Sequence, residues 1–282
     1  MKIAFYGVRG TSPVTQPGFQ VFGGETTCLA VEGKGGGRLI LDAGTGIRAA
    51  GHVLRRDPRD FSVSVLLTHY HLDHLMGVMS FAPLYDKRWS VEFVGPLLDE
   101  GTPEQAITIL LGKPFWPVQV RTLPSQIRFT TLPVLHPKEP MSWAGLTVRC
   151  APVHHSEGCT AYRIEEPCSG RAFVFATDLE WGASSESERE VFFDLCVRPV
   201  PVDLLVMDGQ FTRANYESHR GWGHSTIEDI VEITGRLDIK TALITHHSPE
   251  ADDRRLEEAE RELETVGGTI RLARQGLEVV LL

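Results

Sequence analysis

Short apolar stretches rich in β-branched residues alternate with polar turns along most of the chain. Such runs between turn signals predict β-strands. The predicted strands are 2–7, 27–32, 38–42, 62–68, 91–95, 127–132, 146–151, 159–165, 171–177, 203–207, 240–245 and 277–281. Apolar residues at helical spacing predict helices at 46–56, 74–84, 103–111, 186–196, 226–236 and 253–265. Strands first, then mixed strands and helices, predict two packed sheets with helices outside.

The organisation of the chain predicts one domain over residues 1–282, because no repeat, low-complexity stretch or change of composition divides it. The Pro-rich stretch 96–126 predicts an excursion over one face. Four glycines between Gly33 and Gly37 separate two predicted strands. A hairpin turn explains them better than a phosphate-binding loop does.

Composition is ordinary for a globular protein, with 42% hydrophobic and 23% charged residues. No apolar run approaches the ~20 residues of a membrane-spanning helix. The first residues predict a strand and not a signal peptide, so we expect a cytoplasmic enzyme. The five cysteines contain no Cys-x-x-Cys pair and predict reduced thiols, not a disulfide framework or a cysteine zinc site.

The net charge of −9 bears on the choice of partner. Proteins that bind long nucleic acids usually present a basic face, so such a partner is disfavoured. A small phosphate ester remains open, because bound divalent cations can dominate the local field.

Four potential metal ligands occur within six positions after the strand predicted at 62–68. His69 and His71 are two residues apart, so their imidazoles point to one side of an extended segment. Asp73 and His74 follow where a helix is expected to begin, and the turn could aim them at a second ion. Imidazole and carboxylate ligands suit zinc, with manganese, iron or nickel as alternatives.

This His-x-His-x-Asp-His motif after a strand resembles the signature of the metallo-β-lactamase-fold superfamily, and the resemblance covers nearly the whole chain. It implies an α/β fold, a four-layer αββα sandwich of two mixed β-sheets flanked by helices. It also implies that Asp42 supports the histidine loop. The implied metal ligands are His69, His71 and His155 for one ion, Asp73, His74 and His246 for the other, and Asp178 as the bridge.

Two of these ligands have a histidine neighbour, so the choice is open between His154 and His155 and between His246 and His247. The family pattern favours His155 and His246. Two metals about 3.5–4 Å apart can share a hydroxide and stabilise the entering and leaving oxygens of an in-line displacement. The cysteine ligand of many zinc β-lactamases has no counterpart, because Asp178 stands at that position.

The superfamily hydrolyses lactams, thioesters, lactones and phosphodiesters, so the ligands leave the scissile bond open. The segments 7–13 and 23–28 resemble the opening of the phosphodiesterase branch, which includes ribonuclease Z and cyclic-nucleotide phosphodiesterases. The sequence at 223–226 resembles the Gly-His-Ser-Thr loop of ribonuclease Z. This implies that His224 helps to protonate the leaving alkoxide, with Asp208 in the place of the acidic residue that orients it. Ser225 or Thr226 would also cap the following helix.

The expected function is therefore that of a binuclear phosphodiesterase acting on a small phosphodiester, first among them a 3′,5′-cyclic nucleotide. A metal-bridged hydroxide would attack, Asp73 could steer it, and His224 would donate the proton. The alternatives are a tRNA 3′-end endonuclease, a lactonase, thioesterase or lactamase, and a metal-binding sensor without activity. Residues 96–126 carry only Lys113 and Arg121 as basic residues, which disfavours tRNA.

Aromatic residues at 85, 115 and 116 could stack a base or pack in the core. The resemblance also suggests a homodimer.

Overall fold

Two mixed β-sheets of seven strands each face one another in the computed structural model, which describes residues 1–57, 59–99, 101–133, 140–266 and 269–282. The first sheet, in the order β14-β1-β2-β3-β4-β5-β6, consists of β1 (Lys2–Gly7), β2 (Cys28–Glu32), β3 (Arg38–Leu41), β4 (Ser62–Leu66), β5 (Ser90–Pro96), β6 (Gln126–Leu132) and β14 (Glu278–Val280). The second, in the order β13-β12-β11-β10-β9-β8-β7, consists of β7 (Met141–Trp143), β8 (Leu146–Val153), β9 (Cys159–Glu166), β10 (Arg171–Ala176), β11 (Leu204–Asp208), β12 (Thr241–Thr245) and β13 (Thr269–Leu272).

Helices connect the strands and cover the outer faces of both sheets. The α-helices are α1 (Ile47–Arg56), α2 (Pro103–Leu110), α3 (Glu186–Val197), α4 (Arg213–Tyr216), α5 (Ile227–Leu237) and α6 (Asp253–Leu263). Short 3-10 helices span Leu72–His74, Met76–Ser80, Ala82–Tyr85, Val120–Thr122 and Glu217–His219. None of the helices among the described residues is long and apolar enough to cross a membrane.

Three separate apolar clusters account for the layering. One lies between the sheets, where residues such as Leu41 of the first sheet and Phe173 of the second are buried. The other two lie outside, where α1 and α2 cover the first sheet and α3, α5 and α6 cover the second. Along β11, Leu204 and Val206 enter the central cluster while Leu205 and Met207 enter an outer one. Burial on both faces explains why this strand is an unbroken apolar run, and the predicted αββα sandwich is confirmed.

The predicted helix 74–84 is wrong, because the segment forms three short 3-10 helices instead. Its backbone is bonded to the loop after β3, where Gly77 N donates to Ala43 O at 3.0 Å. A Cβ on Gly77 would lie 2.0 Å from Gly44 O, so the chain passes too close to this loop for a regular helix. Pro83 also removes a backbone donor within the segment.

Most other predicted elements are present to within a few residues, and the turn at 33–37 joins β2 to β3, with Gly33 N donating to Gly37 O at 3.0 Å. The strands β7 and β13 and the short helix α4 were not predicted. Between β5 and β6 the chain forms α2 and a 3-10 turn, within the stretch predicted as an excursion. Glu100 in that stretch lies outside the described residues, and the single domain and the excursion stay predictions.

Candidate metal centre

The predicted ligands and the predicted supporting residue Asp42 follow the carboxyl ends of strands. Asp42 follows β3 and His69 follows β4, which are parallel neighbours in the first sheet. His155 follows β8, Asp178 follows β10 and His246 follows β12 in the second sheet. Since β10, β11 and β12 are parallel neighbours, these ends share one edge, where ligand sites of such sheets usually lie.

Asp42 fixes the loop that carries the histidines through hydrogen bonds. Its carboxylate is fully buried and accepts from Thr68 N at 2.8 Å and from His74 Nδ1 at 2.8 Å. With Nδ1 bonded in this way, His74 presents Nε2 to the site, which is the arrangement that carboxylate–histidine–metal triads use. Burial raises the pKa of Asp42 against the opposing pull of the His74 imidazole.

The first ligand group consists of His69, His71, His155 and Asp178, whose candidate ligand atoms lie within 4.8 Å of one another. His71 Nδ1 and His155 Nε2 are 3.2 Å apart, and His69 Nε2 lies 3.6 Å from Asp178 Oδ2. Glu157 bonds to the other nitrogen of His71 at 3.0 Å. The remaining nitrogen of His155 donates to Gly223 O at 3.0 Å. Each imidazole therefore turns one nitrogen towards the centre.

The second ligand group consists of Asp73, His74 and His246, again within 4.8 Å. His74 Nε2 and His246 Nε2 lie 3.1 and 3.2 Å from Asp178 Oδ1, so the Asp178 carboxylate faces both groups. His246 Nε2 also lies 3.3 Å from Asp73 Oδ2. The structure thus brings together all seven predicted ligands, with Asp178 next to both groups.

The donor set fits divalent cations. His69 Nε2 is buried without a hydrogen-bond partner, and a buried polar atom of this kind normally has one. Within the described ranges, no lysine or arginine forms an ion pair with Asp73 or Asp178, whose ion-pair partners are imidazoles. Two buried carboxylates without a lysine or arginine partner leave negative charge for a cation to neutralise.

The pKa shifts of His74 and Asp178 reflect the same excess of negative charge. Burial opposes a charge on His74, yet Asp178, Asp73 and Asp42 together raise its pKa well above the ordinary value. Burial also opposes a charge on Asp178, yet the surrounding imidazoles hold its pKa well below the usual range. His69 goes the other way, because burial keeps its pKa well below the ordinary value and leaves it neutral, as a ligand must be.

The backbone is strained where the ligands are placed. Asp42, Asp178 and His246 have φ angles of 60°, 53° and 60°. Thr11, which donates from its backbone N to Asp73 Oδ2 at 2.8 Å, has a φ angle of 63°. Residues other than glycine rarely adopt this left-handed region, and such strain concentrates at functional sites.

The structure also separates the adjacent histidines. His154 Nδ1 lies 3.2 Å from Glu188 Oε1 on α3, away from the cluster, while His155 joins it. His247 donates to Ala273 O at 2.8 Å, and burial lowers its pKa to about 3. His246 therefore faces the cluster, and its neighbour packs in the protein interior.

His224 and Asp208 form a buried pair beside the ligands, with Nδ1 and Oδ2 2.7 Å apart. Burial on its own lowers the pKa of His224, but Asp208, together with Asp178 and Asp73, outweighs burial and raises the pKa to about 9. The His224 ring stacks on His246 at 4.8 Å, and His224 Nδ1 is 4.0 Å from Asp178 Oδ2. His224 is thus also close enough to group with Asp178 and His246 as a third ligand set.

Several supporting residues were missed by the sequence analysis. Gln210 Oε1 accepts from His246 Nδ1 at 2.9 Å and leaves Nε2 free for the centre. Glu180 accepts from Gly221 N and Gly223 N at 2.7 and 2.8 Å and fixes the loop that carries His224. Gln210 lies two residues after Asp208, so its proximity to a predicted site residue was the available signal. No local pattern pointed to Glu180, which is 43 residues from Gly223.

The predicted capping residues and two of the aromatic residues also form hydrogen bonds. Thr226 caps α5, accepting from Asp229 N at 3.2 Å, and Ser225 Oγ bonds to Leu179 O. Trp116 Nε1 donates to Tyr85 OH at 3.2 Å. A base-stacking role for these aromatic residues stays a prediction.

Comparison with known proteins identifies the family of this chain and solved structures with a similar fold. The family model described as beta-lactamase superfamily domain matches residues 37–247, a range that contains every predicted ligand. A search of curated proteins finds no significant match.

Solved structures share the fold over the whole chain. A diphosphatase from the PhnP family is 18% identical with a TM-score of 0.69, covering 100% of this chain and 98% of that one. The short form of human tRNase Z is 16% identical with a TM-score of 0.66 and full coverage of both chains. Yeast PDE1 is 15% identical with a TM-score of 0.68, covering 99% of each chain. At these identities the likeness shows the fold.

Proposed function

Because the chain belongs to the beta-lactamase superfamily and is a metal-dependent hydrolase, we propose that it is a binuclear phosphodiesterase acting on a small phosphodiester, first among them a 3′,5′-cyclic nucleotide. The observation that carries this proposal is the His224–Asp208 pair beside Asp178, the carboxylate that faces both ligand groups. Two ligand groups sharing one carboxylate suit in-line displacement at phosphorus.

The proposed centre would hold two divalent ions, with zinc preferred and manganese, iron or nickel as alternatives. His69, His71 and His155 would hold one ion, Asp73, His74 and His246 the other, and Asp178 both. When bound, such ions lower the pKa of water and polarise phosphoryl oxygens.

His224 would deliver the proton that the leaving oxygen needs. With Nδ1 bonded to Asp208, the proton on Nε2 is the one available for transfer. Asp208 keeps the imidazole in its protonated form, as the pKa of about 9 indicates. An alkoxide leaving group depends on such a donor, whereas a nitrophenolate leaves without one.

Asp73 would orient the attacking water and not remove its proton. Burial opposes its charge, but His74 and His246 hold the pKa of this carboxyl well below the usual range. A carboxylate of such low basicity accepts a hydrogen bond without taking the proton. Thr11 N fixes its Oδ2 from the outer side.

The fold similarity to tRNase Z makes a tRNA 3′-end endonuclease the second candidate. The net charge of −9 and the two basic residues in 96–126, Lys113 and Arg121, argue against it. A homodimer and a cytoplasmic location remain expectations of the sequence analysis.

One panel tests the proposal. We expect metal analysis to find two ions per chain, with turnover of bis-p-nitrophenyl phosphate and 3′,5′-cyclic nucleotides but little of precursor tRNA, a lactone or nitrocefin. Lactone or nitrocefin turnover without any phosphodiester turnover would refute it.

The His224→Ala variant tests the donor role. We expect it to keep the metal content and to lose turnover of diesters with alkyl leaving groups, while nitrophenyl esters are less affected. Loss of one ion would instead identify His224 as a ligand, and equal loss on both substrates would contradict proton donation.

A further inference from the structure

The loop that carries His224 also presents a tryptophan for which the proposed chemistry has no use. Trp222 lies two residues before His224, and 60% of its surface is exposed. Of the five tryptophans, all within the described residues, Trp222 alone is exposed. Large aromatic side chains stabilise folded proteins through burial, so an exposed one beside a reaction centre is a candidate for ligand contact.

The backbone holds Trp222 firmly on both sides. The carboxylate of Glu180, itself 1% exposed, accepts from Gly221 N at 2.7 Å and from Gly223 N at 2.8 Å. Both glycines have positive φ angles, 86° and 87°, which a side chain would strain. Tyr216 OH donates to the same carboxylate at 2.7 Å. The indole is therefore presented from a preorganised loop, which lowers the entropy cost of binding.

The same loop is in contact with the metal centre. Gly223 O accepts from the ligand His155, and a Cβ on Gly223 would lie 2.0 Å from its Nδ1. The Phe211 ring lies 6.4 Å from the Trp222 ring and 5.9 Å from the His224 ring. Ring contacts through Phe211 thus connect the exposed Trp222 indole to His224, the proposed proton donor.

We propose that Trp222 is a specificity-determining residue that stacks on the nucleobase of a nucleotide whose phosphate lies at the metal centre. The inference rests on the proposed function. Because His224 would protonate the leaving oxygen, the sugar that bears this oxygen would lie near the loop that carries both His224 and Trp222. A flat uncharged ring suits the indole face, and stacking of this kind tolerates any base. The proposal therefore predicts a nucleotide preference without a strong base preference.

Binding of a matched ligand pair isolates the base. Adenosine 5′-monophosphate and ribose 5-phosphate carry the same phosphate and differ by the base, and calorimetry on the metal-loaded protein measures both. We expect Trp222→Ala to bind the nucleotide about 5- to 150-fold more weakly, the range of one base–aromatic stack. Binding of ribose 5-phosphate should change less than about twofold, because phosphate contacts remain. Trp222→Phe should retain most of the nucleotide affinity.

Fluorescence gives a second readout. The nucleotide should quench the emission of the unmodified protein, and the quenching should be largely lost in Trp222→Phe although binding persists. Metal content and melting temperature, measured for each variant, exclude a general loss of structure.

Three outcomes would overturn the inference: no preference of the unmodified protein for the nucleotide over ribose 5-phosphate, an unchanged preference in Trp222→Ala, or a selective loss in Phe115→Ala instead. The proposed function fails separately, if the unmodified protein does not hydrolyse phosphodiesters. A Trp222-dependent nucleotide preference without hydrolysis would leave the stacking contact standing and refute the enzymatic role alone.

Discussion

Replacement of Asp208 by asparagine tests how the protein keeps His224 protonated. The substitution preserves size and replaces the carboxylate beside Nδ1 by an uncharged amide. The difference between a pKa of about 9 and the ordinary 6.5 corresponds to about 3 kcal/mol in favour of the imidazolium. Asp208 raises this pKa more than Asp178 and Asp73 do, and burial opposes all three, so we expect the value in Asp208→Asn to fall towards 6.5.

The kinetic consequence depends on the leaving group. At pH 8 a fall of this pKa from about 9 to about 6.5 lowers the protonated fraction of His224 about 30-fold, so kcat for a 3′,5′-cyclic nucleotide should fall by about the same factor. Turnover of bis-p-nitrophenyl phosphate should fall less than about threefold, because nitrophenolate needs no proton. A group that acts as an acid works below its pKa, so the alkaline limb of the pH–rate profile should move to lower pH in the variant.

The assay compares kcat and KM for both substrates between pH 5 and 10, with metal content measured for each variant. Glu188→Gln is the matched control, because it removes the carboxylate beside His154, a histidine outside the cluster. Glutamine can also keep the capping box at the start of α3. Equal losses on both substrates, or an unmoved alkaline limb, would refute the proposed role of Asp208.

Three further predictions concern metal binding and stability. Asp42→Asn should weaken metal binding by about 10- to 100-fold in a chelator titration. Asparagine tolerates the left-handed backbone. If its oxygen accepts from Thr68 N, its amide nitrogen faces His74 Nδ1 and favours the His74 tautomer with the proton on Nε2, which cannot bind a metal through that nitrogen. Unchanged metal affinity would contradict this reasoning. Removal of metal by a chelator should lower the melting temperature by about 5–10 °C, since binding at 100-fold excess over Kd contributes about 3 kcal/mol, and the shift should shrink in Asp42→Asn. Arg163→Met should lower the free energy of unfolding in urea by about 3–5 kcal/mol, because the buried guanidinium donates to three backbone carbonyls at and after the end of α3; a loss below about 1 kcal/mol would show that those carbonyls find other donors.

Elements buried on two faces could be predicted from sequence, and those shaped by tertiary contacts could not. The apolar runs of β10 and β11 are almost entirely buried, so their strands were predicted closely. The segment 74–84 has apolar residues at helical spacing, but the close approach of Gly77 to Gly44 breaks the helix. In β13 exposed and buried residues alternate over only four residues, which is too short a pattern to separate from a turn.

The site divides in the same way. The cluster from His69 to His74 is a local motif, and a resemblance supplied the distant ligands in chain order. The choice between adjacent histidines needed geometry, since only the strand end decides which side chain faces the centre. Glu180 and Gln210 act through residues far along the chain, and nothing in the sequence around Glu180 distinguishes it from a surface acid.

The division of ligands between the sheets has a consequence for stability. His69, His71, Asp73 and His74 follow β4 of the first sheet, whereas His155, Asp178 and His246 follow strands of the second. Each proposed ion would therefore be held by both sheets at once. Without cations, the buried carboxylates at this edge depend on imidazoles for compensating charge, as the raised pKa of His74 and the lowered pKa of Asp178 indicate. Metal loss should thus loosen the contact between the sheets at the site edge before it affects either sheet, since the apolar cluster between them remains.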